Sequence, residues 1–157
     1  MIRKAVGAIV YRGHKFLVVG KVKLMDMPGG PENIPLEWNI PGGGVLEVDE
    51  SNHQAIAREL REETGSDQFM IIKEYENKVC FDFPPSIRDR TGFDGQECTM
   101  FLVEYLGKGD DLIPNDDEID RVEFVVREEL FKRILHKETK EFMREMLESF
   151  PLNEMER

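Results

Sequence analysis

The sequence predicts an α/β (α+β) sandwich with a central mixed sheet. Three observations predict it: two β-branched apolar runs open the chain, a capped helical segment stands in the middle, and strand-like segments then give way to two helical patterns. Strands before, between and after helices are the signature of sheet and helix layers packed on one core. With 157 residues, 40% apolar and 34% charged, the composition is globular, and the expectation is one domain over residues 1–157.

The elements follow in order. Residues 4–11 and 16–22 are apolar runs separated by Arg12-Gly13-His14-Lys15, which predicts two strands around a turn. Residues 23–37 carry Pro28, Gly29, Gly30, Pro31 and Pro35 and read as a loop. Trp38-Asn39-Ile40 is a short strand that Pro41-Gly42-Gly43-Gly44 stops. From Ser51 to Thr64 the pattern is helical, with Ser51 as N-cap, Gln54 three residues on as in a capping box, and Gly65 as stop. Strands are expected at about 69–82 and 97–106, with residues 84–92 as a loop between them. Residues 107–120 are polar and acidic, and Val122 to Val126 is a strand. Helices close the chain at about 127–135 and 137–149, where Ile134, Phe142, Met143, Met146 and Leu147 supply a buried stripe.

Charge narrows the function classes. The formal net charge is −11, against a general nucleic-acid coat, which needs basic surface to displace counterions. It does not exclude a phosphate substrate, because a bound cation reverses the sign of a site. Residues 44–66 hold six acids and two bases, and residues 109–123 hold seven acids and only Arg121, so these segments carry −10 of the −11. Residues 1–23 hold six bases and no acid. No apolar run is long enough to span a bilayer, which predicts no membrane partner. Cys80 and Cys98 sit in apolar stretches and are expected to be buried thiols in a reduced, cytoplasmic setting. A homodimer is compatible with the sequence.

The chemistry concentrates in Arg58-Glu59-Leu60-Arg61-Glu62-Glu63-Thr64-Gly65. A helix turns roughly 100° per residue, so Glu59, Glu62 and Glu63 share one face while Ile56, Ala57, Leu60 and Thr64 pack on the adjoining one. Three like charges this close repel, and Arg58, four residues before Glu62, offsets part of that. A divalent cation offsets more: Mg²⁺ prefers carboxylate, water and phosphate oxygens, so this face suits one or two such ions with positions left for a phosphate chain. The competing reading is a solvated acidic helix face.

The surrounding spacing favours the metal. Gly44, five residues, Glu50, seven residues and then the segment from Arg58 resemble the Nudix box, G-x5-E-x7-R-E-U-x-E-E-x-G-U with U a bulky aliphatic residue, at eight of its nine specified positions over residues 44–66. Ser66 departs from the last aliphatic position, and is expected only to weaken a packing contact. Pro41 to Glu50 is also one residue longer than the usual spacing. The resemblance implies a Nudix-type α/β/α sandwich and hydrolysis of a nucleoside diphosphate derivative with Mg²⁺, for which Mn²⁺ can substitute. It implies Glu59, Glu62 and Glu63 as metal ligands, with the carbonyl of Gly43, or of Gly42, beside them. Arg58 is implied to orient a box glutamate, with Glu50 as its partner or a further outer ligand, and Glu118 to be the acid from a late loop. Glu63 is the first candidate for the general base and Glu118 the second.

Arg3 before Val6-Gly7, and Phe81-Asp82-Phe83-Pro84-Pro85 before Gly95-Gln96, are similar to dinucleoside polyphosphate and RNA 5′-pyrophosphate hydrolases of the family. The resemblance implies Arg3 as a substrate-binding residue; Lys21 and Lys23 end the second strand, where they can reach a phosphate chain or stand as ordinary surface lysines, and Phe83 is a candidate to stack a base. The nucleotide-derivative substrate is then ranked as a dinucleoside polyphosphate or a 5′-triphosphate RNA end first, a (d)NTP second, and a nucleotide sugar or ADP-ribose third. A catalytically silent nucleotide-binding module is the non-enzyme alternative, and an acidic interaction domain with an accidental box is the other.

Overall fold

In the computed structural model the described residues are 1–24 and 29–148. The parts of the expected loop at 25–28, of the last helix at 149 and of the expected domain at 149–157 lie outside them. The order is β1 (Ile2–Arg12), β2 (Lys15–Leu24), β3 (Glu32–Asn39), β4 (Gly42–Gly44), α1 (Asn52–Thr64), β5 (Phe69–Glu74), β6 (Val79–Asp82), α2 (Pro85–Thr91), β7 (Gly95–Tyr105), β8 (Ile119–Val126), α3 (Arg127–Arg133) and α4 (Lys137–Glu148).

All eight strands form one mixed sheet with the path β3-β2-β1-β7-β5, while β4 pairs with β1, β6 with β7 and β8 with β2. Among the described residues only β1 and β7 run parallel, in register from Ile2↔Gly95 to Tyr11↔Glu104. β1 and β2 are paired only where Gly13 and His14 join them, at Tyr11↔Phe16 and Arg12↔Lys15. Beyond that point they diverge, and the chain returning through β3 and β4 fills the wedge. β3 pairs with β2 at Val19↔Asn39 and onward, and β4 with β1 at Ala5↔Gly44, Val6↔Gly43 and Gly7↔Gly42.

Strand alternation sends side chains to two cores. Ile9, Tyr11 and Val18 pack on one face with Leu130, Met143 and Leu147 of the C-terminal helices. Val6, Ala8, Val10 and Leu17 pack on the other with Ile56 and Leu60 of α1. Both faces of the sheet are thus covered by helices, as the expected sandwich requires.

The structure corrects the sequence reading at several elements, each for a local reason. The expected loop 23–37 contains most of β3. Its Pro35 falls where the β2–β3 register shifts, so the missing N–H interrupts no ladder bond. Gly42–Gly44, read as a stop, is a strand: glycine permits the approach, since a Cβ on Gly42 would lie 2.3 Å from the Val6 carbonyl oxygen. The expected loop 84–92 holds α2, in which Pro85 begins the helix and Gly92, at φ 78°, caps it with its N–H on the Arg88 carbonyl. The expected 69–82 strand is split into β5 and β6. Cys98 is buried as expected, but Cys80 is exposed on the four-residue strand β6.

Candidate active site

Helix α1 presents the acids. Ser51 caps it, its hydroxyl oxygen accepting from the Gln54 N–H at 3.1 Å, while the Gln54 side chain returns to accept from the Glu50 N–H at 2.6 Å. Ala55, Ile56, Leu60 and Thr64 go into the core. Ala57, expected on that face, is exposed, and Ala55 takes its place. This rotation leaves Glu62 at the rim, 47% exposed, tucks Glu59 in to 12%, and buries Glu63 to 1%.

Strand β4 is the wall against which they lie. Glu63 Oε1 accepts from the Gly42 N–H at 2.7 Å. A Cβ on Gly43 would stand 2.5 Å from Glu59 Oε1, and one on Gly44 would stand 2.7 Å from an Arg3 guanidinium nitrogen. Successive residues point to opposite faces, so β4 has Glu59 on one side and Arg3 on the other.

Arg58 holds the group together. Its guanidinium donates to both Asp49 oxygens (3.0 and 2.9 Å), to Glu59 Oε1 (2.9 Å), to Glu62 Oε2 (3.3 Å) and to the Gly44 carbonyl (3.0 Å). The partner expected from sequence, Glu50, is exposed. Asp49 does that work instead, with its side chain only 2% exposed and its carboxyl held below the usual aspartate range by the Arg58 hydrogen bonds. Asp49 was missed because the box pattern specifies its neighbour and leaves its own position open; the signal is an acid nine residues before the box arginine.

Across the wedge, β2 and the start of β8 add a cation and a fourth acid. Lys21 Nζ lies 3.9 Å from Glu118 Oε2, and the Val22 N–H donates to the Glu118 carbonyl at 2.7 Å, fixing the residue beside β2. Both Lys21 and Glu118 act electrostatically on Glu63. Burial pushes the Glu63 carboxyl well above the ordinary glutamate range, with Glu59 and Glu118 adding to the rise while Lys21 and the Gly42 N–H oppose it. Burial also raises Glu59, against the pull of Arg58.

Among the described residues no three acids or imidazoles close on a common metal centre. Arg58 draws one oxygen each from Glu59 and Glu62 toward itself. The donor set nevertheless fits Mg²⁺. It is entirely oxygen, its acids outnumber the nearby cations Lys21 and Arg58, and Mg²⁺ keeps several waters and needs only one or two carboxylates from the protein. Glu63, nearly sealed from water and lacking a direct ion pair among the described contacts, is where added positive charge relieves the most strain.

The other substrate residues expected from sequence separate. Arg3 donates to Gln96 Oε1 at 2.6 Å, and Phe81 is paired in register with Gln96, its ring 5.6 Å from Phe83. Arg3 and Phe83 therefore border one group, behind β4 from Glu59. Lys21 joins the carboxylates, whereas Lys23 sits further along β2 opposite Asn33.

The acidic segment 107–118 docks on the end of α1. The Asn115 N–H donates to the Glu62 carbonyl at 3.1 Å, and a Cβ on Gly65 would lie 1.8 Å from the Ile113 carbonyl oxygen. Ser66, expected merely to loosen packing, is 2% exposed and donates its hydroxyl to Asp111.

Known proteins resemble this chain in sequence and in fold. The NUDIX domain pattern matches residues 1–150. An RNA pyrophosphohydrolase of a Nitratiruptor species is 33% identical over 120 residues, covering 71% of this chain and 77% of that protein. Nudix hydrolase 26 of Arabidopsis thaliana is 36% identical over 98 residues, covering 59% of this chain but only 45% of the plant protein. Among solved structures, a C. elegans Ap4A hydrolase superposes with a TM-score of 0.66 at 20% identity, covering 95% of this chain and 100% of that one. The E. coli dihydroneopterin triphosphate pyrophosphohydrolase gives 0.67 at 15%, covering 92% and 96%. The chain belongs to the Nudix family. It is a hydrolase acting on pyrophosphate bonds.

Proposed function

We propose that this chain is a Mg²⁺-dependent pyrophosphohydrolase whose substrate is a nucleotide bearing a multi-phosphate chain, with 5′-triphosphate RNA ends and dinucleoside polyphosphates the first candidates. The observation that carries the reading is the gathering of Glu59, Glu62, Glu63 and Glu118 with Lys21 and Arg58 around the three-glycine strand β4. The relatives named RNA pyrophosphohydrolase support the substrate ranking.

Glu59, Glu62 and Glu63 would hold the metal, with the Gly43 carbonyl beside them, and Mn²⁺ would serve in its place. Bound there, the ion supplies charge neutralisation for phosphoryl oxygens and a lowered pKa for water. The chain's own groups do the rest. Lys21 faces the same space and steadies the phosphate chain. Arg58, fixed by Asp49, keeps Glu59 and Glu62 in place. Glu63, to the extent that it is not fully engaged with metal, is the first candidate to accept the proton of the attacking water. Glu118 is the second candidate. Arg3 and Phe83, behind β4, contact the nucleoside portion.

The test is a panel of 5′-triphosphate RNA, diadenosine tetraphosphate, dNTPs, ADP-ribose and NADH with Mg²⁺, resolved by chromatography. Hydrolysis of one of the first two substrates, lost in Glu62→Gln, is expected: pyrophosphate or phosphate released from 5′-triphosphate RNA, or two mononucleotides from diadenosine tetraphosphate. Unchanged activity in Glu62→Gln overturns the metal assignment, and exclusive turnover of ADP-ribose overturns the ranking.

A further inference from the structure

The segment that follows the acidic helix is held by a polar relay. Ser66 Oγ donates to Asp111 Oδ2 and accepts from the Gln68 N–H at 3.0 Å, while the Ser66 N–H donates to Thr64 Oγ1 at 3.2 Å. The Tyr105 hydroxyl donates to the second Asp111 oxygen, Oδ1, and accepts from the Gly109 N–H at 2.9 Å. Tyr105 is itself fixed. It is 2% exposed at the end of β7, its ring lies 5.4 Å from Phe69 and 5.5 Å from Phe124, and Arg12 sits over it at 5.7 Å. Asp111 thus bridges Ser66, the residue just past the cap of α1, to the end of β7.

What the bridge holds in place is a cap. The final carbonyls of a helix have no partner within it. Here the Gly65 N–H takes the Arg61 carbonyl at 2.9 Å, and the Asn115 N–H, four residues beyond Asp111, takes that of Glu62. The backbone of Glu62, and with it the neighbouring Glu63, is therefore referenced to the loop.

We infer that Ser66, Asp111 and Tyr105 are positioning residues, whose relay clamps loop 109–115 onto the C-terminal turn of α1 and so sets where Glu62 and Glu63 present their carboxylates. The relay exists because a serine stands where the family's box has an aliphatic residue. This rests on the proposed reading of Glu62 and Glu63 as metal ligands.

Ser66→Thr and Ser66→Val test it, since they fill nearly the same volume and differ in the hydroxyl. Mn²⁺ affinity is measured by electron paramagnetic resonance without substrate, Asn115 amide exchange by NMR, and the thermal midpoint serves as the control for stability. Loss of a group that supports metal ligands typically costs 10–100-fold in affinity or activity. Ser66→Val is expected to weaken Mn²⁺ binding by about 10-fold, at the low end because the group acts through a backbone. It should also speed Asn115 exchange, and Ser66→Thr should restore both. Asp111→Asn should reproduce Ser66→Val, and the double variant should be no worse than either single one, as for groups acting in one unit. Equal Mn²⁺ affinity and equal Asn115 protection in Ser66→Val and Ser66→Thr overturn the inference, whatever happens to the midpoint. If the unaltered protein binds no Mn²⁺, or Glu62→Gln binds it equally well, the metal reading fails and the positioning role with it. A surviving difference in Asn115 exchange then shows a clamp that is structural only.

Discussion

Asp49 and Arg58 show how one ion pair organises several charges. A guanidinium that is 17% exposed reaches a carboxylate that is 2% exposed, and three further acceptors share its protons. Breaking a buried pair by removing one partner costs about 3–5 kcal/mol, because the other charge is left uncompensated. Asp49→Asn is expected near the lower end, about 3 kcal/mol in urea unfolding, since Arg58 keeps Glu59, Glu62 and the Gly44 carbonyl. An unchanged midpoint would mean that these partners suffice. Glu63→Gln leaves the same shape without a base, so kcat is expected to fall by about 10²–10⁴-fold in a steady-state assay. Asp111 carries a pH signature. Hydrogen bonds from Ser66, then Tyr105, hold its carboxyl below the usual aspartate value of 3.8. A depressed folded-state pKa gives stability that is present above the unfolded value and lost as pH falls through the folded one. The stability gap between the unaltered protein and Asp111→Asn should therefore shrink as pH drops from about 5 to about 3, as read by denaturant unfolding at each pH. A constant gap would place the Asp111 contribution elsewhere.

At the scale of elements, α1 is fixed at both ends, and the two ends differ in how well the sequence shows them. Its start is written locally: the Ser51 hydroxyl accepts from the Gln54 N–H and the Gln54 side chain accepts from the Glu50 N–H, all within a few residues and close to what a capping box predicts. Ser51→Ala is expected to cost about 1 kcal/mol. Its end is written partly at a distance. Gly65, at φ 80°, is a recognisable cap, but the Ile113 carbonyl that leaves no room for a side chain comes from a loop some fifty positions away. Gly65→Ala should therefore cost more than the about 1 kcal/mol of an ordinary glycine cap, in the same unfolding assay. The same division explains the rest of the fold. β1, β2, α1 and α4 carry their own periodicity and were legible. β4 is three glycines, with no side chain to show a pattern, and is a strand only because β1 lies beside it. β3 and α2 were masked by prolines that occupy permitted places, a register shift and a first helical turn. At the site, the shared face of Glu59, Glu62 and Glu63 follows from helical spacing. Asp49 stands at a position the box leaves open, the Ser66 relay needs a loop residue 45 positions away, and the separation of Arg3 from Lys21 depends on β4 entering beside β1.

For the whole molecule, the net charge of −11 is mostly a property of two segments that the fold brings together. Residues 44–66 carry the box and residues 109–123 carry the loop that docks on its helix, so acids far apart in sequence share one region. Such a concentration destabilises the folded state by self-repulsion, and Lys21 and Arg58 offset only part of it. A cation that binds the folded chain and not the unfolded one stabilises it by about 2.7 kcal/mol at a hundredfold excess over its dissociation constant. For a chain of this size that is a rise of roughly 5–10 °C in the thermal midpoint. Mg²⁺ is expected to give a rise of that order, reversed by EDTA and diminished in Glu62→Gln and Glu63→Gln. Simple screening predicts something different. NaCl at matched ionic strength lowers repulsion everywhere on the surface, so it should produce a smaller shift that both variants retain. Differential scanning calorimetry of the three proteins in the two salts separates the cases. Equal shifts with Mg²⁺ and with NaCl would reduce the acidic region to a diffuse field, whereas a Mg²⁺-specific shift that follows the box glutamates makes the excess charge the counterpart of a bound ion.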